Sequence, residues 1–218
     1  MKKYIVLAHL LVLICCNGSS QAPGNLTAKE TAGKRVGGPC EGCEGIYESS
    51  IPFSQLSWTD TLPGYGWLGT PIEIRGVVYS AGGKPAPGVV LYIYHTDPQG
   101  IYPKNGNEKD WGKRHGYLRG WVKTNASGHY RFLTTRPGSY PQSNNPAHIH
   151  IFVKEERLNE YYIDDFHFDD DPLFTTLERE KQKHWGGSGL IKPVLVNGKW
   201  LAHRDIVLGL NVPNYPKE

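Results

Sequence analysis

The sequence predicts an all-β protein, an antiparallel β-sandwich or barrel with long loops and little helix. Two observations predict it. Short alternating or β-branched runs recur along the chain, each bounded by turn-forming residues. The 218 residues include 26 glycines and 16 prolines to punctuate those runs, and 13 tyrosines beside one methionine, a composition that suits ordered turns better than a helical bundle.

The first residues read as an export signal. Lys2 and Lys3 supply a charged start, and 4–16 is apolar but too short to span a bilayer. Leu13 and Ile14 lie upstream of Cys15 and Cys16, and the polar run Asn17-Gly18-Ser19-Ser20 follows. Cys15 or Cys16 is therefore a candidate for lipidation of the bacterial lipoprotein type, Cys16 being favoured. Cleavage near Ser20 without a lipid is the alternative. Either route takes the mature protein to the periplasm or the outer surface. Residues 1–20 are read as signal peptide, 21–70 as a tether and N-terminal arm, and 71–218 as the sandwich domain. The arm contains Cys40-Glu41-Gly42-Cys43. Such a pair suits zinc, thiol redox chemistry or a local disulfide. No second pair completes a zinc site and no βαβ pattern surrounds this one. In an oxidising compartment it reads as a disulfide that pins the arm.

Within the domain, 72–79 alternates and then becomes apolar, and 81–88 is a turn cluster. The run 89–95 is β-branched and aromatic, a buried strand. The loop 96–117 is long for a compact domain, and such loops are often functional. Strands follow at 118–124 and 129–135, joined by the turn Asn125-Ala126-Ser127-Gly128. Pro137-Gly138 breaks the pattern. Further strands are expected at 148–153 and 161–168, and a short helix at 172–183. Strands at 190–196 and 199–208 flank Asn197-Gly198, a strong hairpin signal. The formal charge is only +3, from scattered Lys and Arg, so no basic stripe argues for nucleic acid.

The chemistry concentrates in Pro146-Ala147-His148-Ile149-His150-Ile151-Phe152-Val153. On a strand, side chains alternate, so His148 and His150 share a face about 7 Å apart, while Ile149, Ile151 and Val153 point the other way. That spacing serves a metal site or an ordinary hydrogen-bonded polar face. Tyr140, in Arg136-Pro137-Gly138-Ser139-Tyr140-Pro141, can return to the same end of the sheet. Tyr102 lies in the long loop, in Asp97-Pro98-Gln99-Gly100-Ile101-Tyr102. Each tyrosine taken alone also reads as a rim residue with its hydroxyl hydrogen-bonded. His95, His115, His129, His167, His184 and His203 lack a partner at ligand spacing and read as ordinary hydrogen-bonded histidines.

Three segments, taken in order and at their spacing, carry a resemblance. They are Gly128-His129-Tyr130-Arg131-Phe132, Thr134-Thr135-Arg136-Pro137-Gly138-Ser139-Tyr140-Pro141 and Pro146-Ala147-His148-Ile149-His150. Together they resemble the signature of the intradiol ring-cleavage dioxygenases, which include catechol 1,2-dioxygenases and protocatechuate 3,4-dioxygenases. Tyr117-Leu118-Arg119-Gly120-Trp121 adds to the likeness, which extends over about 71–173. It implies a β-sandwich enzyme that holds one Fe(III) through Tyr102, Tyr140, His148 and His150, with Tyr117 as the alternative to Tyr102. It implies that a catechol-type diol and O2 are its small-molecule partners and a muconate-type diacid its product. By the same resemblance Tyr102 acts as base while Tyr140 stays bound. The donor chemistry agrees, because hard phenolates favour iron(III) and imidazoles suit iron.

Two positions depart from the family pattern. Three residues before the first histidine, at a catalytic position where an arginine is usual, stands Asn145, which can donate a hydrogen bond but carries no charge. A glutamine is often found near the position of Asp165, where an ionised carboxylate would oppose an anionic catecholate. Arg119 and Arg136 are candidate substitutes for the missing charge, and Arg131 reads as a surface charge. These departures keep open a second reading, an exported binding module that captures a catechol, a ferric chelate or a glycan without turnover. A structural surface protein without metal is the third.

Overall fold

The computed structural model describes residue 1 and residues 35–217. The expected signal peptide, both candidate lipid-acceptor cysteines and the first part of the tether lie outside the described residues. Among the described residues no helix is long and apolar enough to cross a membrane.

Twelve strands carry the fold of the unit Lys34–Glu218. They are β1 (Thr59–Thr61), β2 (Pro71–Tyr79), β3 (Val90–His95), β4 (Arg119–Lys123), β5 (His129–Thr135), β6 (His148–Lys154), β7 (Tyr161–Tyr162), β8 (Phe166–Phe168), β9 (Leu190–Ile191), β10 (Val194–Val196), β11 (Lys199–His203) and β12 (Ile206–Val207). Only two short α-helices occur among the described residues, α1 (Gly112–His115) and α2 (Thr176–Glu180). One sheet runs β1-β5-β2-β11-β10, with β12 also on β2; the other runs β4-β3-β6-β8-β9, with β7 on β6. The two sheets face each other across one apolar core, which makes the fold a sandwich. Ile72, Ile74, Tyr130 and Phe132 of the first sheet meet Leu91, Ile93, Ile149 and Ile151 of the second there, all at most 1% exposed.

The structure departs from the expected elements in several places. The sheets are mixed: β1 pairs parallel with β5, β11 and β12 with β2, and β8 with β9. The first three of these pairs join strands that are not consecutive, and the consecutive β8 and β9 are joined by a long connection that contains α2, as parallel pairing requires. The turn 125–128 does not close a hairpin, because β4 and β5 belong to different sheets. There the Asn125 carboxamide accepts the N–H groups of Ser127 and His129 and carries the chain from one sheet to the other. The expected strand 161–168 is broken in two. The Asp164 carboxylate accepts the N–H groups of His184 and Trp185 at the break. The helix shortens to one turn, capped by Thr175. The run 190–196 splits between the sheets, but β10 and β11 do form the Asn197-Gly198 hairpin, with φ of 49° and 77° at the turn.

The second sheet is covered on both faces, which explains why all six residues of β3 are buried. Its outer face packs against the arm, where Cys43 and Ile46 join Val90, Tyr92, Tyr94 and Phe152 in a second apolar cluster. Cys40 and Cys43 are joined in a disulfide, and the Trp121 indole N–H donates to the Ile46 carbonyl at 2.9 Å. At the arm's start, Arg35 pairs with Glu160, and the Val36 N–H donates to Asn159.

Candidate metal centre

β6 places the two histidines. Its inward residues Ile149, Ile151 and Val153 are fully buried between the sheets. Each such side chain contributes roughly 1.5–3 kcal/mol by burial, so the register that points His148 and His150 outward is strongly held. The ladder to β3 sets Tyr94 opposite His150, and their ring centroids lie 4.5 Å apart. The ladder to β8 sets His167 opposite His148.

Two loops place the tyrosines. Tyr102 follows a tight turn in which the Asp97 carboxylate accepts the N–H groups of Gln99 and Ile101. Tyr140 follows Gly138, whose N–H donates to the Asp97 carbonyl at 2.8 Å and whose own carbonyl accepts from the Thr96 hydroxyl at 2.8 Å. The loops cross so closely that a Cβ on Gly100, at φ 80°, would stand 1.8 Å from the Ser139 carbonyl oxygen. A Cβ on Gly138 would stand 2.2 Å from the Pro98 carbonyl. Two glycines, one per loop, thus permit the crossing that brings the phenols together.

The four polar atoms converge. The Tyr102 and Tyr140 hydroxyls are 2.5 Å apart, and Tyr102 is 3.0 Å from His150 Nε2. Tyr140 is 3.2 Å from His148 Nε2 and 3.4 Å from His150 Nε2, and the two Nε2 atoms are 3.2 Å apart. All four side chains are half-buried. Tyr117, by contrast, sends its N–H to the Pro103 carbonyl and its side chain to a separate cavity of about 640 Å³, shared with Tyr47, Glu48, Arg119 and Trp121. None of the four converging residues lines that cavity.

Counting protons shows what the cluster suits. His148 Nδ1 donates to the Pro146 carbonyl at 2.8 Å, and His150 Nδ1 faces the Asp165 carboxylate at 3.0 Å. In neutral imidazoles so arranged, both Nε2 atoms carry lone pairs rather than protons. Only the two phenol protons remain to bridge five short contacts. Three contacts must bring lone pairs together, which a cation at the centre resolves. Two phenol oxygens and two imidazole nitrogens, free of thiolate, fit iron(III) better than zinc. Burial, followed by His150's proximity, lowers the His148 pKa and so favours the neutral ligand form. Burial raises both phenols. Tyr102 rises strongly, aided by its hydrogen bond to Tyr140, whereas the same bond opposes the rise of Tyr140.

Asp165 forms a cluster with His148 and His150 that could itself suggest a two-histidine, one-carboxylate site. The geometry argues otherwise. Asp165 stands behind His150, on Nδ1, while Nε2 faces the phenols.

Known proteins place the chain in a family. Residues 64–179, just over half of the chain, match the family model described as dioxygenase. The chain belongs to the intradiol dioxygenase family. It is 31% identical over 112 residues to the protocatechuate 3,4-dioxygenase beta chain of Burkholderia cepacia, covering 49% of this chain and 48% of that one. It is 33% identical over 122 residues to catechol 1,2-dioxygenase 1 of Acinetobacter lwoffii, covering 47% and 37%. The chain thus spans about half or less of the length of these relatives. Among solved structures, it resembles the dioxygenase domain of a dioxygenase carbohydrate-binding protein fusion from the cellulolytic bacterium Streptomyces sp. SirexAA-E. The TM-score there is 0.54 at 21% identity, over 74% of this chain and 95% of that one. That likeness shows a shared fold.

Against the intradiol pattern, the departures gain a location. Asn145 is exposed in the loop before β6, its N–H on the Ser143 hydroxyl, and no side-chain hydrogen bond among the described residues ties it to the cluster. The arginines are engaged elsewhere: Arg119 with Glu48, Arg131 over Trp58, and Arg136 in a two-pronged pair with Asp170. Of the histidines set aside, His95 is buried between the Thr96 carbonyl and the Thr134 hydroxyl, at 2.7 Å each. His115 is bonded to the Tyr92 hydroxyl at 2.7 Å and stacked on Tyr94, and His203 lies 2.9 Å from Asp205. His167 stacks on Phe174 with its buried Nδ1 unpartnered. Sequence reasoning weighed Asp165 only as a charge facing substrate and missed Tyr94. Knowing that β3 pairs with β6 in this register would have exposed Tyr94.

Proposed function

We propose that the protein is a non-haem iron(III) intradiol dioxygenase that cleaves a catechol-type ring with O2, both oxygen atoms entering a muconate-type diacid. The convergence of two phenol oxygens and two imidazole nitrogens within 2.5–3.4 Å carries this reading. Tyr102, Tyr140, His148 and His150 would hold the ion, which as a Lewis acid would polarise a bound catecholate. Membership of the intradiol family supports a division of labour. Tyr140 serves as the standing phenolate. Tyr102 is the base suited to accept a proton from the diol. Tyr94, whose ring is tilted against His150 with centroids 4.5 Å apart, screens one face of the imidazole from water.

We also infer export, with Cys16 as a point of lipid attachment. The charged start at Lys2 and Lys3, the apolar run after it and the Cys40–Cys43 disulfide support an oxidising destination. A second reading, capture of a diol without turnover, is favoured by one observation: exposed Asn145 offers no positive charge to a reacting ring.

The test is metal analysis and a visible spectrum after anaerobic loading with ferrous iron and reoxidation. The expected protein binds about one iron per chain and shows a phenolate-to-iron band. Catechol added anaerobically should shift that band, and admitting air should consume O2 and yield an acyclic diacid. Colourless protein that takes up no iron overturns the proposal. A shifted band without O2 uptake selects the capture reading.

A further inference from the structure

The two histidines of the cluster are backed differently. His148 Nδ1 rests on a backbone carbonyl, that of Pro146 at 2.8 Å. His150 Nδ1 rests on a charged side chain, Asp165 Oδ2 at 3.0 Å. The carboxylate is firmly presented. Next to it, Asp164 accepts two backbone N–H groups and gives its own carbonyl to the Arg204 guanidinium at 2.6 Å. A Cβ on Gly189 would stand 2.2 Å from the Asp165 carbonyl, so the chain past β8 closes tightly behind it. His150 is also held on its face, by the Tyr94 ring. One imidazole is thus clamped at its edge by a negative charge and at its face by a phenol ring, and Nε2 has a single direction left, into the cluster.

We propose that Asp165 is a positioning residue for the metal centre. It keeps the His150 proton on Nδ1, aims the Nε2 lone pair at the ion, and lends the imidazole negative charge that favours the ferric over the ferrous state. A carboxylate hydrogen-bonded to a ligating imidazole makes that nitrogen a stronger donor, and removing such partners typically costs about 10–100-fold in metal affinity. This role rests on the ferric reading above for its redox part but not for its tautomer part. It also sets the Asp165 carboxylate on the far edge of His150, away from the side on which Nε2 faces the phenols.

The test compares wild type with Asp165→Asn and Asp165→Ala. Asparagine keeps the shape and an acceptor but not the charge. In metal-free protein, nitrogen NMR of the imidazoles should show His150 as the Nδ1–H tautomer in wild type and in Asp165→Asn, and as a mixture in Asp165→Ala. Under iron loading, Asp165→Ala should bind iron(III) about 10–100-fold more weakly. Asp165→Asn should keep iron with a shifted visible band and a more positive midpoint potential. Unchanged tautomer, affinity and potential in both variants would overturn the role. Wild-type protein that takes no iron but shows the tautomer change retires the ferric reading and leaves Asp165 as the residue that orients His150. Near-ultraviolet circular dichroism of Asp165→Asn checks that the sandwich stays folded.

Discussion

The histidine half and the tyrosine half of the cluster are built by different means. The histidines sit on a strand between two hydrogen-bonded neighbours, with Ile149, Ile151 and Val153 anchoring its reverse side in the core. The tyrosines sit on two loops held by a handful of hydrogen bonds and by two glycine crossings. The strand delivers two imidazoles as a consequence of alternation, at no extra conformational expense. The loops deliver two phenols only where a missing Cβ lets one backbone pass another. One half is therefore as stable as the domain, and the other depends on local geometry.

Three experiments sharpen that contrast. Ile151→Ala empties a fully buried position behind the histidines and should cost about 2–5 kcal/mol in urea unfolding. The folded fraction should still bind iron as wild type does, and loss of binding in folded molecules would show that the strand is not the rigid half. The next effect concerns pH. His95 at the end of β3 is completely buried, and burial pushes its pKa down to about 4. A histidine depressed in the folded state binds its proton more readily when unfolded. Stability is therefore full above about pH 6.5 and falls with acidification toward pH 4, by about 3 kcal/mol for this group. Thermal melts of wild type and His95→Gln between pH 4 and 7 should separate by that slope. Parallel slopes would remove His95 as its source. Gly100→Ala is the smallest of the three. Its new Cβ would meet the Ser139 carbonyl at 1.8 Å, so the loops must part. Iron affinity should fall about tenfold, equivalent to about 1.4 kcal/mol, while the melting temperature of the metal-free sandwich shifts little. A collapse of overall stability instead would make the tyrosine loops part of the core rather than an addition to it.

Most of the strands were legible because their cause is local. The runs at β2, β3, β5 and β6 alternate or are β-branched throughout, and they lie within a residue or two of the expected bounds. Asn197-Gly198 turns where two consecutive residues must take positive φ. Strand partners were not legible. Asn125-Ala126-Ser127-Gly128 has the composition of a hairpin turn, yet it links two sheets, because β5 pairs with β2 while β4 pairs with β3. The parallel edges likewise join strands distant in sequence, a choice made by the whole core.

The sequence by itself determined that His148 and His150 share a face, because side-chain direction on a strand follows from parity alone. Its motif also singled out Tyr102 and Tyr140. Only the tertiary structure decided that Tyr102 rather than Tyr117 turns its hydroxyl to the imidazoles, because that depends on how the 97–102 turn crosses the 138–140 loop. It alone set Asp165 behind His150, since the pairing of β8 with β6 brings together residues whose chain separation says nothing about their contact.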